Sequence, residues 1–117
     1  MRKCVLVVED DTLIRMDTVD TVEDAGFEAI EAANADEAIN QLAANPAIGI
    51  MITDIEMPGS MNGVRLAYAV RDRWPPVEII VVSGQMMPGR GALPERARFI
   101  AKPFRPSQIE AALRAAA

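Results

Sequence analysis

The chain alternates between short, continuous apolar runs and longer segments whose apolar residues recur every three or four positions. Cys4 to Val8 is apolar throughout and is followed at once by Glu9-Asp10-Asp11, the pattern of a strand buried on both faces with acids at its C-terminal end. Thr12 to Ala25 has helical spacing, with Asp11 or Thr12 as N-cap and Gly26 as the stop. Its inner stripe is Ile14, Thr18, Thr21, Val22 and Ala25. Met16 and Val19 fall toward the opposite side, either as ordinary surface apolar residues or as a docking face. Phe27 to Ala32 reads as a second strand. Asn34 and Glu37 then have capping-box spacing before a helix that runs to about Ala44 and ends at Asn45-Pro46.

A third strand, Ile48 to Thr53, runs out of apolar residues at Asp54, and Pro58 and Gly59 then force a turn. Leu66, Ala67, Val70 and Trp74 follow helical spacing from Gly63 onward, and Pro75-Pro76 stop that helix. Val77 to Val82 is a fourth strand, finishing on Ser83-Gly84. Between Gln85 and Arg96, the residues Pro88, Gly89, Gly91 and Pro94 predict a fourth helix that is short or irregular. Arg98 to Ala101 is a fifth strand leading into Lys102-Pro103-Phe104. Pro106 suits the first position of a last helix whose inner stripe is Ile109, Ala112 and Leu113.

Five strand–helix units in succession call for an α/β fold, a parallel sheet with helices on both faces. Right-handed connections make it a doubly wound, flavodoxin-like sheet of five strands in the order 2-1-3-4-5. A length of 117 residues fits a single domain, 1–117. In such sheets the reactive site lies beyond the C-terminal ends of the strands, at the switch point between strands one and three. Strand one ends in Glu9-Asp10, strand three in Asp54, strand four in Ser83 and strand five in Lys102.

Composition narrows the chemistry. A net charge of −5 argues against nucleic acid as a direct partner. No apolar run approaches the ~18 residues of a membrane span, and no leader-type cleavage motif opens the chain, so a cytoplasmic location is expected. The chain has no histidine, which removes histidine acid–base chemistry, the serine and cysteine triads and most zinc sites. Cys4 lies within the first apolar run and is read as a small buried hydrophobe. Among the basic residues only Lys3 and Lys102 are lysine, a point charge suited to a single phosphate or carboxylate oxygen.

Two negative charges about 5 Å apart repel by roughly 3 kcal/mol at an effective dielectric near 20, and Glu9, Asp10 and Asp54 together repel more. Lys102 supplies one positive charge. A hard divalent cation, Mg²⁺ or else Mn²⁺, would supply the rest, because every candidate ligand is an oxygen.

These residues carry a resemblance. Val7-Val8-Glu9-Asp10, Thr53-Asp54 with Met57-Pro58-Gly59 and Gly63, Val82-Ser83-Gly84, and Phe99 with Lys102-Pro103-Phe104 stand in order at matching strand ends. The sequence resembles the response-regulator receiver domains of two-component signalling, of the single-domain, CheY-like type. The resemblance implies that Asp54 is the phosphoacceptor for a phosphohistidine on a histidine kinase or histidine phosphotransfer protein. It implies that Asp10 holds Mg²⁺ directly, Glu9 through water, and Asp54 and the Glu56 backbone carbonyl beside them. Ser83 and Lys102 would bind phosphoryl oxygens, Lys102 preceding a cis proline, and Phe99 would be the aromatic switch. The side chains of Glu56 and Gln85 are expected to tune the lifetime of the phosphoryl group.

Such a domain accepts a phosphoryl group stoichiometrically and is not a turnover enzyme. With no residues left over for an output domain, its effect is expected to run through a protein target. A stand-alone regulator, a phosphate sink in a relay and a receiver excised from a hybrid kinase all fit, Met1 directly before strand one favouring the first. The chain departs from the commonest pattern in a longer loop after Asp54, with Asn62 where an acid is frequent, in serine at position 83, and in Phe at 99. Two rival readings share parts of the pattern. A flavodoxin-like cofactor binder would need a phosphate-cradling loop where this chain has three acids. An aspartyl-phosphate phosphatase could use Asp54 and Glu56, but those enzymes carry their acid pair on the first strand.

Overall fold

The computed structural model describes residues 4–57, 59, 61–84 and 92–117. The elements run β1 (Cys4–Val8), α1 (Thr12–Asp24), β2 (Glu28–Ala32), α2 (Ala35–Ala44), β3 (Ile48–Asp54), α3 (Gly63–Arg73), β4 (Glu78–Ser83), β5 (Arg98–Ala101) and α4 (Pro106–Ala116). All strand pairs are parallel, in the order β2-β1-β3-β4-β5. Residues 85–91, which hold most of the segment expected to form a short or irregular helix, lie outside the described residues; residues 92–97 form no helix.

Because successive side chains of a strand point to opposite faces, each buried strand contributes to two cores. Leu6, Val8, Met51, Ile79 and Val81 pack with Ala38 and Leu42 of α2 and Leu66 and Val70 of α3. Val5, Val7, Ile52, Ile80 and Val82 pack with Val22 of α1 and Ile109 and Leu113 of α4. One irregularity lies in β3. Cys4 pairs with Ile48 but Val5 pairs with Ile50, leaving Gly49 as an extra residue. This bulge sends Ile48 to the α2–α3 face and Ile50 to the other, although they are two positions apart.

Polar side chains set the helix starts. Asp11 caps α1 by accepting from the Ile14 N–H at 3.1 Å, and Asn34 caps α2 by accepting from Glu37 N–H at 2.9 Å. Glu37 reaches back one residue further than a capping box requires, to the N–H of Ala33. Asn62 caps α3, accepting from Arg65 N–H. Gly26, with φ +96, ends the α1 region in a backbone conformation that favours glycine.

Several boundaries differ by one residue from the sequence reading. Phe27 and Val77 precede their strands, because their N–H groups donate to Val22 and Trp74 in turns and are withheld from the ladders. Asp54 and Ser83 belong to their strands, extending β3 and β4 to the functional end. Val19 does not face away from the core. It packs against the α1–α4 core, because α1 lies beside α4 as well as over the sheet and so buries a wider arc than one stripe. Met16 is exposed.

Leu113 is fully buried whereas Leu13 is 74% exposed. Leu113→Ala is expected to cost about 2–5 kcal/mol, and Leu13→Ala to stay within about 0.5 kcal/mol. Urea-unfolding midpoints of the two variants check this contrast.

Candidate functional site

The parallel ladders extend one residue past the strands. Glu9 N–H donates to Ala32 O at 3.0 Å, Ile55 N–H to Val82 O at 3.0 Å, and Lys102 N–H to Ser83 O at 2.8 Å. Each functional side chain therefore leaves the sheet on a fixed backbone. Gly63 returns the chain after Asp54 against the strand end, its N–H donating to Ile55 O. A Cβ at Gly63 would lie 1.9 Å from the Asp54 carbonyl oxygen, so the approach requires glycine.

At this end Asp54 and Glu9 are each 4% exposed. Lys102 Nζ lies 2.9 Å from Asp54 Oδ2 and 3.3 Å from Glu9 Oε1. The other Glu9 oxygen accepts from the Asp11 N–H at 3.0 Å. Asp10, at the exposed edge, completes a cluster in which one carboxylate oxygen each from Glu9, Asp10 and Asp54 lies within 4.8 Å of the others. The Lys102-Pro103 bond is cis.

Burial and then the neighbouring Asp10 and Asp54 carboxyls push the Glu9 pKa up to about 7, against the pull of the Asp11 N–H and Lys102. Burial works to lower the Lys102 pKa, but the hydrogen bond and charge of Asp54, followed by Glu9, outweigh it and leave the pKa raised. Lysine is thus held charged between two acids that compete for it.

Ser83 is fully buried, and its Oγ donates to the Glu56 carboxylate at 2.8 and 3.0 Å. The Gly84 N–H donates to the same carboxylate at 3.2 Å. Glu56 therefore reaches across to the end of β4. Phe99 is half-buried against the α2–α3 core, opposite Val81 in the sheet. Gln85 lies outside the described residues.

Arg15 was not singled out by sequence. Its Nη1 donates to the Glu9 carbonyl at 2.8 Å while its Nε pairs with Glu31 of β2 at 3.0 Å. It fixes the backbone from which Glu9 and Asp10 project. On the helical pattern it reads as one more charged surface position, with no spacing signal to distinguish it.

The residues fit a bound cation. Asp54 Oδ1 is buried with no hydrogen-bond partner, and it belongs to a cluster of oxygen donors in which acids outnumber the single lysine. A buried carboxylate oxygen without a donor is costly, and a hard cation would satisfy it.

This architecture, acids at the switch point of a 2-1-3-4-5 sheet with a lysine from β5, defines a doubly wound α/β domain built to manage negative charge. A model of the response regulator receiver domain family matches residues 5–114. The chemotaxis protein CheY of Thermotoga maritima is 39% identical over 118 residues, covering 97% of this chain and 96% of that protein. The phyllosphere-induced regulator PhyR of Methylorubrum extorquens is 32% identical over 113 residues, and the match spans 93% of this chain but only 41% of PhyR. The structure of Vibrio cholerae CheY4 superposes with a TM-score of 0.87 at 26% identity, covering 100% of both chains. The chain belongs to the response-regulator receiver domains of two-component signalling, whose members work with kinases or phosphotransfer partners. Among the described residues no helix is long and apolar enough to cross a membrane.

Two outcomes test the site. Folded Glu9 holds its proton between the ordinary value of 4.5 and about 7, where the unfolded chain has lost it. The associated stability is full below about 4.5 and is lost as pH rises through about 7. Urea midpoints in EDTA should fall across that window, and Glu9→Gln should flatten the fall. Gly63→Ala is expected to cost about 1–3 kcal/mol and to shift the Asp54 carboxyl resonances, readable by NMR.

Proposed function

We propose that Asp54 accepts a phosphoryl group from a phosphohistidine on a partner kinase or phosphotransfer protein, switching a protein-interaction surface. The observation that carries this reading is the state of Asp54: a buried carboxylate at a strand end, one oxygen on Lys102 and the other without a donor. A structural cap accepts a backbone N–H, as Asp11 does from Ile14. A nucleophile needs a free oxygen facing the place where the phosphoryl donor arrives.

In the step proposed, an Asp54 carboxylate oxygen forms a bond to phosphorus while the bond from phosphorus to the donor imidazole nitrogen breaks. The electron pair stays on the imidazole. Lys102, already at the acceptor, turns its ammonium to a phosphoryl oxygen, and the Ser83 hydroxyl donates to another. Phosphoryl transfer asks a protein mainly for positioning and charge neutralisation, which this set supplies. Asp10 and Asp54, with Glu9 through water and the Glu56 carbonyl, would hold Mg²⁺ or Mn²⁺. Bound there, the cation would supply positive charge to offset that of the acceptor and the incoming phosphoryl group.

The donor's approach has room. An open groove of about 790 Å³ runs from Lys102 and Gly84 past Pro103 and Phe104 to Ile14, Thr18 and Thr21 of α1. A helix carrying phosphohistidine, laid along these mostly apolar walls, reaches the acceptor end of the sheet. The added charge of about −1.5 to −2 would then draw Ser83 toward the phosphate, with Phe99, two residues before β5 ends, as the ring that turns inward in response. The domain acts stoichiometrically and does not turn over a substrate.

With acetyl phosphate and Mg²⁺, intact mass should show one phosphoryl group per chain, carried on Asp54. Asp54→Ala should take up none, and Lys102→Ala should load at least tenfold more slowly. Label on the Asp54→Ala chain would overturn the assignment.

A further inference from the structure

Ser83 and Gly84 do not wait with open donors. The Ser83 hydroxyl lies 2.8 and 3.0 Å from the two Glu56 carboxylate oxygens, and the Gly84 N–H lies 3.2 Å from one of them. Glu56 stands two residues after Asp54, so its carboxylate spans from the acceptor loop to the end of β4. A carboxylate and a phosphoryl group ask for the same thing from a protein, namely hydroxyl and N–H donors pointed at anionic oxygens.

We propose that Glu56 is an internal competitor for the phosphoryl cradle: its carboxylate holds the Ser83 and Gly84 donors, and it must leave before Asp54 can be loaded. The inference rests on the receiver reading and adds to it a residue of this chain that limits loading. Ser83 is fully buried, so its hydroxyl has little alternative supply of water when Glu56 holds it. Glu56 itself is exposed and can swing into solvent without opening the core. The latch is therefore released by a side-chain rotation and needs no movement of the sheet.

A hydrogen bond to a charged group shifts an equilibrium by roughly ten- to a hundredfold, and the exposure of Glu56 puts the effect at the lower end, about tenfold. Two variants separate competition from simple charge repulsion. Glu56→Ala removes both the charge and the contact. Glu56→Asp keeps the charge but withdraws the carboxylate by one methylene, out of reach of Ser83. The rate of Asp54 labelling by acetyl phosphate and Mg²⁺ is measured for the wild-type chain and both variants. Both are expected to load about tenfold faster than wild type. An Ala variant no faster than wild type overturns the proposal. An Asp variant that stays at the wild-type rate while Ala speeds up also overturns it, since charge alone then explains the gain. Failure of all three chains to take label would overturn the receiver reading itself, an outcome distinct from a wild-type chain that loads while Glu56 makes no difference.

Discussion

The contact between Lys102 and the acid pair is the interaction on which the functional end of the molecule depends. Asp54 and Glu9 are both nearly inaccessible to water, and Lys102 lies within hydrogen-bond distance of each. Burying a carboxylate without a counter-charge costs several kcal/mol, and two adjacent ones repel as well. One lysine does not balance three acids. The protein responds by keeping Glu9 hard to ionise near neutral pH, with a pKa of about 7. The residual demand for positive charge is what makes the cluster receptive to a cation and, on the proposed reading, what makes Asp54 a place where incoming phosphate must be neutralised rather than merely admitted.

That convergence is produced by chain direction. In an all-parallel sheet every strand ends on the same edge, so Glu9, Asp54, Ser83 and Lys102 meet although Glu9 and Lys102 are 93 positions apart. The hydrophobic cores on both faces supply the stability against which this uncomfortable edge is held. Local devices then set the geometry: backbone bonds carried one residue past the strands, the close return of Gly63 on the Asp54 carbonyl, and the grip of Arg15 on the Glu9 carbonyl.

Much of this was legible because buried strands write themselves as apolar runs and their ends as the first polar residue. Cys4–Val8 then Glu9, and Ile48–Thr53 then Asp54, needed no other information. Asn34 was readable as a cap from spacing alone. What escaped depends on tertiary neighbours. Val19 looked like an outer residue on a helical wheel, yet α4 lies alongside and covers it. The bulge at Gly49 leaves no mark in a run that is apolar on both sides of it. The Arg15 contacts and the bond between Glu56 and Ser83 join residues on different elements, and no periodicity relates them.

Those cross-element bonds change how a switch here must operate. A receiver with empty donors would gain the full strength of each new bond on modification. In this chain the Lys102 ammonium is already shared between Glu9 and Asp54, and the Ser83 hydroxyl is already on Glu56. On the proposed reading, phosphorylation would exchange one set of anionic partners for another, and only the difference between them could move an equilibrium between surface states. The two exchanges differ in what they set free. Lys102 would leave a buried acid pair that then needs other compensation. Ser83 leaves an exposed carboxylate that water can satisfy at once. The β4 end is thus, on the proposed reading, the side of the site where exchange would cost least. A response would, on that same reading, begin at Ser83 and spread toward β5, whereas the backbone of Glu9 is held by Arg15 and by its ladder bond to Ala32.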